Sequence, residues 1–162
     1  MWERGRGGEG IPKIADFGLA LALEGRENLT QSGVIVGTPA FMAPEQARGQ
    51  RALVGPATDV HALGVTLYVL LTGRQPFAGD DPMRVLNEVT STEPVPPSRL
   101  LRRVPADLSA VCMKCLEKEP AGRYKSAAEL ADDLRRFLAD EPVRARMPGP
   151  AARAARPWPC CW

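Results

Sequence analysis

The sequence predicts a mainly α-helical domain with at most one short pair of β-strands. A near-continuous apolar run at 57–72 has the length of a helix and is followed by a glycine. Two later segments, 107–117 and 126–139, place apolar residues at the i, i+3, i+4, i+7 spacing of a helix face. With 162 residues, of which 44% are hydrophobic and 25% charged, the chain has room for one such core.

Little regular structure is predicted for the N-terminal quarter of the chain. Residues 1–10 are Gly-rich and charged, which is typical of a flexible leader. Residues 12–17 predict a short strand that Gly18 ends. The segment 19–44 carries repeated Gly and Pro, so a loop of about 25 residues is expected, and such a loop in a compact domain is usually functional or disordered.

Four or five helices are predicted after this loop. The 57–72 helix begins where Thr58 and Asp59 offer oxygens to unpaired backbone N–H groups. Because it is apolar on all sides, it should lie in the core. The other predicted helices are a turn at 44–49 and the segments 81–89, 107–117 and 126–139, with a Pro-rich connector at 92–105.

The formal net charge of +2 is unevenly distributed along the chain. Residues 143–162 carry four arginines and no acid, so the remainder has a net charge of −2. This balance excludes a basic nucleic-acid-binding surface over the body of the domain. The tail is too short and too rich in Pro, Ala and Arg to bury a core, so disorder is expected, with contact to an anionic membrane surface as the alternative.

The sequence has neither a signal-peptide pattern nor a membrane span. The longest apolar stretch, 60–71, has 12 residues, against the roughly 20 that a spanning helix needs, so a soluble, cytoplasmic chain is expected. The cysteines could suggest zinc. One pair lies on the apolar face of a predicted helix and the other pair is adjacent in sequence, so free thiols are expected instead. These cysteines are Cys112, Cys115, Cys160 and Cys161.

Five short motifs occur in a specific order and spacing. They are Asp-Phe-Gly at 16–18, Gly-Thr-Pro-Ala-Phe-Met-Ala-Pro-Glu at 37–45, Thr-Asp-Val-His-Ala-Leu-Gly at 58–64, Leu-Thr-Gly-Arg-Gln-Pro-Phe at 71–77 and Lys-Glu-Pro-Ala-Gly-Arg-Tyr at 118–124. This succession resembles the C-terminal lobe of protein serine/threonine kinases from the Asp-Phe-Gly motif onward. It is most similar to the bacterial receptor-type branch, including the kinases of planctomycetes.

The resemblance implies a fold and a division of the chain. The fold would be a protein-kinase-like C-terminal lobe, a helical bundle with a short β-hairpin remnant and no N-terminal lobe. Residues 1–10 would be a flexible leader, 11–140 a partial kinase domain, and 141–162 a disordered Arg/Pro-rich tail.

The resemblance also implies roles for residues near the front of the domain. Asp16 would bind magnesium, Phe17 would pack beneath it, and Gly18 would permit the backbone turn. Mg²⁺ and ATP would be the cofactors of the intact family, and this chain alone is not expected to bind them stably. Thr30 and Ser32 would be phosphorylation sites of the activation segment, where added charge can order a loop. Unmodified polar loop residues are the alternative.

The implied substrate-binding residues lie in the 37–45 motif. Thr38 would hydrogen-bond the catalytic aspartate and favour serine or threonine over tyrosine substrates. Four residues would line the pocket for the residue that follows the phosphoacceptor. These four are Pro39, Ala40, Phe41 and Met42.

The remaining implied roles are structural. Glu45 would form a buried ion pair with Arg123, and breaking it would cost roughly 3–5 kcal/mol. Asp59 would cap the core helix and anchor the catalytic loop. His61 stands where the family commonly has Trp or Tyr, and it is interpreted as a packed core residue and not as a general base.

A kinase needs a Gly-rich loop over the ATP phosphates, a lysine on the third strand, a glutamate that pairs with this lysine, and a catalytic loop with His-Arg-Asp and Asn. The 162 residues contain none of these. No catalytic residue is therefore assigned. The resemblance implies membership of the ATP-dependent protein serine/threonine kinases, with this chain inactive by itself. The helix that normally packs on 57–72 is also missing, so neighbours of Val60, Leu63 and Leu67 should be exposed, and aggregation or partner-dependent folding is expected.

Three interpretations stay open from the sequence. The first is a fragment of an active kinase whose gene start is misplaced. The second is a non-catalytic docking or regulatory module that keeps the substrate-binding lobe and binds protein substrates or another kinase. The third is an adaptor whose Cys- and Arg-rich tail binds zinc or lipid. No role is assigned to Cys160 and Cys161.

Overall fold

The computed structural model describes three stretches of the chain, and the chain divides into two compact units. The described stretches are residues 2–4, 10–12 and 39–146. The two units are Met1–Gly37 and Thr38–Trp162.

The first unit contains a small antiparallel sheet of two strands, β1 (Trp2–Arg4) and β2 (Gly10–Pro12). Glu3 lies opposite Ile11 in its register. Strand β1 lies within residues 1–10, the predicted leader, and its backbone pairs with β2 as in a hairpin. The strand predicted at 12–17 overlaps β2 only at its first residue, and the rest of it lies outside the described residues.

The described part of the second unit is helical. Its helices are α1 (Pro44–Ala47), α2 (Pro56–Thr72), α3 (Pro82–Ser91), α4 (Pro97–Leu100), α5 (Ala106–Cys115) and α6 (Ala127–Leu138). Short 3₁₀ turns lie at Pro39–Phe41, Arg51–Leu53 and Pro120–Gly122. The mainly α fold class is confirmed. Of the helices described, none has the length and hydropathy needed to cross a membrane.

Side-chain oxygens begin three of these helices. Asp81 Oδ1 accepts the Met83 N–H at 2.9 Å at the start of α3, and Ser126 Oγ accepts the Glu129 N–H at 3.3 Å at the start of α6. Helix α2 begins after Gly55, whose N–H donates to Thr58 Oγ1 at 3.1 Å. Of Thr58 and Asp59, the two residues expected to offer oxygens at the start of this helix, Thr58 makes this contact.

Helix α2 is the centre of the core. It packs against α5, α6, α4 and the Pro39–Phe41 turn. Its Val60 lies in a cluster with α5, α6 and the chain after α6, while its Val65 and Tyr68 lie in a second cluster with Cys112 and Leu116. The first cluster comprises Val60, Ala110, Val111, Cys115, Tyr124, Leu130 and Ala145.

The exposed side of α2 differs from the expectation. Val60 is fully buried and Leu67 is half-buried against the core, so neither forms an exposed patch. Instead Leu63 is 37% exposed and Leu70 is 78% exposed. These two leucines are seven residues apart, two helical turns, and therefore share one face of α2.

The chain that follows α6 packs against the helical core. Ala145 is 5% exposed, and Val143 packs on the cluster around Val60. The backbone N–H groups of Arg144 and Ala145 donate to the two carboxylate oxygens of Asp133 at 2.7 and 2.9 Å. Residues 143–145, which lie within the tail expected at 141–162, therefore contact α6 and the helical core. Residues 147–162, including Cys160 and Cys161, lie outside the described residues.

Candidate functional site

The residues assigned to substrate binding form a compact turn that precedes α1. Pro39–Phe41 makes one 3₁₀ turn, and the Met42 N–H closes it on the Pro39 carbonyl at 3.1 Å. We call Pro39–Met42 the 39–42 turn. Ala40 is buried in a cluster with Phe77, Val85 and Val89. Phe41 packs on this cluster and on the one that contains Val65 and Tyr68. One side of the turn is therefore fixed by apolar packing.

The 39–42 turn leads directly into a buried carboxylate. Ala43 is fully buried, and its N–H donates to Gln46 Oε1 at 3.0 Å, while Pro44 occupies the first position of α1. The second residue of α1 is Glu45, which is 0% exposed. A charge buried this deeply must be paired, because transfer out of water costs several kcal/mol.

The partner of Glu45 is Arg123, which lies between the Pro120–Gly122 turn and α6. Arg123 Nη1 donates to Glu45 Oε1 at 2.8 Å, and Arg123 Nη2 donates to Glu45 Oε2 at 2.7 Å. The pair is thus the bidentate arrangement in which guanidinium and carboxylate planes match. It joins residues that are 78 positions apart in sequence.

The guanidinium of Arg123 uses all five of its N–H donors. Besides Glu45, it donates from Nε to the Glu117 carbonyl at 2.7 Å, from Nη1 to the Ala57 carbonyl at 2.9 Å and from Nη2 to the Lys118 carbonyl at 3.0 Å. No donor of this buried cation is left unpaired. Arg123 therefore ties α1, the start of α2 and the 117–118 backbone to one point.

Hydrogen bonds to the carboxylate decide its charge state. Burial alone would raise the pKa of Glu45, but donation from Arg123, from its own backbone N–H and from Thr58 Oγ1 at 2.8 Å lowers that pKa to about 2. Glu45 is thus ionised across the physiological range. The structure brings Glu45 and Arg123 together and adds Thr58, to which no site role was assigned from the sequence.

His61 is a buried residue beside this pair. It is 0% exposed, and within the described residues neither ring nitrogen has a hydrogen-bond partner. Burial, followed by the cationic groups of Arg123 and Lys118, lowers the pKa of His61 to about 3. His61 is therefore a neutral core residue at physiological pH.

Of the other site residues predicted from the sequence, the structure describes one and leaves six outside the described residues. Asp59 is described and lies exposed in the first turn of α2. The others lie outside the described residues, so the structure does not test their roles. These are Asp16, Phe17, Gly18, Thr30, Ser32 and Thr38.

The thiols of α5 are buried. Cys112 and Cys115 are both 0% exposed, and Cys112 Sγ lies 3.6 Å from the Gly64 carbonyl. Burial raises the pKa of both thiols, that of Cys115 to about 12. They are therefore packing groups and not reactive thiolates. Within residues 39–146, no cluster of three His, Cys, Asp or Glu side chains could hold a metal ion.

Two polar groups were missed by the sequence analysis. Asp133 is 1% exposed, accepts the Tyr124 hydroxyl at 2.7 Å, and binds the two backbone N–H groups after α6. Burial raises the pKa of Tyr124. Burial also acts to raise the pKa of Asp133, but the three hydrogen bonds donated to this carboxylate outweigh it and lower that pKa. The only signal was a carboxylate between Leu130 and Leu134 on the apolar face of α6. Lys118, the second group, had no signal at all.

Comparison with known proteins identifies the family. A model of the protein kinase domain matches residues 5–134. The chain belongs to the protein kinase family. Its relatives include the serine/threonine-protein kinase PknB of Mycobacterium leprae, 41% identical over 133 residues, and PknB of Mycolicibacterium smegmatis, 45% identical over 123 residues. The resemblance to bacterial serine/threonine kinases is thereby confirmed.

These kinases are much longer than the chain. The match covers 82% of this chain but 21% of the M. leprae protein, and 75% of this chain but 19% of the M. smegmatis protein. Among solved structures, the twitchin kinase region from C. elegans is similar, with a TM-score of 0.54 and 27% identity over 74% of this chain and 19% of that one. The helical unit is thus a kinase fold, and the chain spans about a fifth of the length of each of these three proteins.

The family uses ATP and Mg²⁺ and acts on protein substrates. In this kinase chain, the one residue assigned to the metal, Asp16, lies outside the described residues. The part of the kinase fold that they do define is the 39–42 turn and its buried anchor.

Proposed function

We propose that this chain supplies the peptide-binding part of a serine/threonine protein kinase and does not transfer phosphate by itself. The observation that supports this proposal is the buried Glu45–Arg123 pair. It anchors α1 to the helical core immediately after the 39–42 turn, with contacts of 2.8 and 2.7 Å. An anchor of this kind keeps a binding turn in one geometry without ligand, which lowers the ordering cost of binding.

The 39–42 turn is proposed to contact the substrate residue that follows the phosphoacceptor. Phe41 and Met42 are both half-buried, so each offers apolar surface to a peptide while the buried Ala40 holds the turn. Thr38 is proposed to favour serine and threonine substrates. Thr30 and Ser32 are proposed as phosphorylation sites of the preceding loop.

Phosphoryl transfer depends on groups that these 162 residues do not contain. The reaction is accelerated almost entirely by positioning and by electrostatic stabilisation of the transferred group. Asp16, the proposed magnesium ligand, is one part of that arrangement, and the sequence has no His-Arg-Asp loop and no Gly-rich loop with its lysine. We therefore propose that turnover requires those groups from other residues.

The surroundings proposed for this chain are the cytoplasm and a protein partner. A reducing compartment keeps thiols such as Cys112 and Cys115 free. Two leucines, Leu63 and Leu70, are exposed on one face of α2, which supports partner-dependent folding or self-association of the isolated chain.

Two assays test the proposal. The first incubates the 162-residue chain with ATP, Mg²⁺ and a basic protein substrate, and no phosphate incorporation is expected. The second replaces the matching segment of M. smegmatis PknB with residues 11–146 and measures phosphorylation of the same substrate. The chimera should be active, should lose activity with Asp16→Ala, and should keep it with Lys125→Gln, a change at an exposed position.

Either assay can contradict the proposal. Turnover by the isolated chain that disappears in Asp16→Ala would show that it is a complete catalyst. A chimera that is monomeric and melts cooperatively but never phosphorylates would show that these residues no longer support catalysis. That outcome would favour the non-catalytic docking module.

A further inference from the structure

The C-terminal end of α3 is held by two cations that come from different parts of the chain. Lys118 Nζ donates to the Val89 carbonyl at 2.6 Å, and Arg48 Nη2 donates to the Thr90 carbonyl at 2.7 Å. The last carbonyls of a helix have no partner within it and carry the negative end of the helix dipole. Each cation therefore satisfies a carbonyl and offsets the dipole.

Lys118 is the more unusual of the two, because it is 8% exposed. Lysine is almost never buried to this extent unless it is paired. Its ammonium group also lies 4.3 Å from the centre of the Phe77 ring, within the range of a cation–π contact. A carbonyl and an aromatic face together replace the water that this ammonium has lost.

Lys118 also connects α3 to the buried ion pair. Its backbone carbonyl accepts Arg123 Nη2 at 3.0 Å, so the residue binds Arg123 with its main chain and α3 with its side chain. The neighbouring Glu119 pairs with Arg48 at 3.6 Å, which closes a ring of contacts around the end of α3. Movement of Lys118 would therefore disturb both the Glu45–Arg123 pair and the end of α3.

The 39–42 turn packs against α3. Ala40 is buried in a cluster with Phe77, Val85 and Val89, and Phe41 packs on its edge. Val89 thus has its side chain against the turn and its carbonyl on Lys118. Phe77 likewise packs on the turn through its cluster and faces the Lys118 ammonium.

We propose that Lys118 is a positioning residue that sets the conformation of the 39–42 turn by holding the end of α3 against it. This inference rests on the proposed function, because the turn is taken as the peptide-binding surface. Lys118 does not touch a substrate. It acts through Val89 and Phe77, the two residues that lie between its ammonium and Ala40.

A change in the charge of Lys118 should therefore change the conformation of the 39–42 turn. Burial lowers the pKa of Lys118 to about 8, and several charged groups surround it. Glu93 and Glu117 act to raise that pKa, while Arg48 and Arg123 act to lower it. Loss of the proton weakens both the bond to the Val89 carbonyl and the contact with Phe77, since each is stronger for a cation.

The test is a pH titration of the full chain followed by NMR of methyl groups. The reporters are the ¹³C-labelled methyl groups of Ala40 and Met42, and the Cε atom of Lys118 reports its own protonation. In the wild-type chain, all three signals should shift with one common midpoint near pH 8. Lys118→Arg keeps the cation at every pH used, so its Ala40 and Met42 signals should stay constant between about pH 6.5 and 9.5.

The control is Lys125→Arg, an exposed lysine in the same inter-helix segment, in which the Ala40 and Met42 shifts should persist. The proposal is overturned if Lys118 Cε titrates while both methyl signals stay flat, or if Lys118→Arg leaves their titration unchanged. The wild-type comparison of Lys118 Cε with the methyl groups remains decisive if Lys118→Arg does not fold. Kinase activity is not needed for this readout, so failure of the chimera and failure of the titration are separate results.

Discussion

Gly64 of α2 and Cys115 of α5 mark the closest approach of the two central helices. A Cβ atom built on Gly64 would lie 2.4 Å from the Cβ of Cys115 and 3.3 Å from Leu116 Cδ2. Real Cβ atoms do not approach one another so closely, so only glycine allows the helices to meet here. This contact therefore limits how far apart α2 and α5 must lie, and a larger residue at 64 would push them apart.

Substitution of Gly64 should separate these helices. We expect Gly64→Ala to lower the free energy of unfolding by about 1–3 kcal/mol, the cost of overpacking a core, despite the better helix propensity of alanine. Urea unfolding followed by circular dichroism measures the change. Gly79→Ala is the matched control, since its nearest side-chain atom, Val85 Cγ2, would lie 3.6 Å away in ordinary contact. Equal stability of the two variants would contradict the close packing.

Asp133 should be required for the order of residues 141–146. Asp133→Ala removes the acceptor of the Tyr124 hydroxyl and of two backbone N–H groups, and each buried donor left unpaired costs about 1–3 kcal/mol. We expect a loss of at least about 2 kcal/mol in unfolding free energy and faster hydrogen exchange at Arg144 and Ala145.

The control for Asp133 is its neighbour Asp132, whose pair with Arg135 is exposed. Asp132→Ala should change stability by less than about 1 kcal/mol. A chain ending at residue 140 should be destabilised like Asp133→Ala, whereas one ending at residue 146 should not. Slow exchange at Arg144 in the Asp133→Ala variant would rule out the anchoring role.

Acid should destabilise the domain in two steps. His61 has its pKa lowered from 6.5 to about 3 on folding, so between these values the unfolded chain binds the extra proton and stability falls as pH falls. The pKa of Glu45 is lowered from 4.5 to about 2 on folding. Its contribution to the free energy of unfolding is therefore fully present above pH 4.5 and is lost as the pH falls towards 2. Each proton accounts for up to about 1.4 kcal/mol per pH unit.

Unfolding free energies measured in urea between pH 7 and pH 4 test the first step. The wild-type chain should lose stability below about pH 6.5, where His61 begins to bind a proton in the unfolded state. His61→Phe should flatten the curve between pH 6.5 and 4.5 and leave the steeper loss below it. A curve that is the same in both chains would show that His61 is already accessible to protons in the folded state.

The exposed leucines of α2 should drive self-association of the isolated chain. Leu63 and Leu70 are 37% and 78% exposed on one face of the helix. Leu63→Gln combined with Leu70→Gln should lower the apparent mass in sedimentation at a given concentration. Leu138→Gln is the control, because Leu138 is 80% exposed at the end of a different helix. If the double variant associates as strongly as the wild type, this face is not the contact.

The helices were predictable where the local sequence contains their boundaries. Helix α2 was predicted at 57–72 and spans Pro56–Thr72, because an apolar run ends at Gly73, which takes a φ of 74°. Helix α6 was predicted from the Ser126–Glu129 capping pattern. Helix α4 was missed, because four residues that open with proline carry no periodicity.

The polar anchors were less predictable, because they join segments that are distant in sequence. The resemblance to protein kinases implied the pairing of Glu45 with Arg123, but it gave no sign that Thr58 completes the site or that Arg123 uses every donor. Lys118 depends on the end of α3 and on Phe77, neither of which is close to it in sequence. Which side of α2 is covered could not be predicted, since a helix that is apolar all round does not distinguish its faces.

A double-mutant cycle on Glu45 and Arg123 is the most direct measurement of how the 39–42 turn is anchored. Glu45→Gln and Arg123→Met should each lower the unfolding free energy by about 3–5 kcal/mol, because each strands a buried partner. The double variant should lose at least about 2 kcal/mol less than the two single losses combined. The account would be contradicted if each single variant lost less than about 1 kcal/mol and the two losses were additive. That is the result expected for an exposed pair such as Asp132–Arg135, and not for a buried anchor beneath the turn.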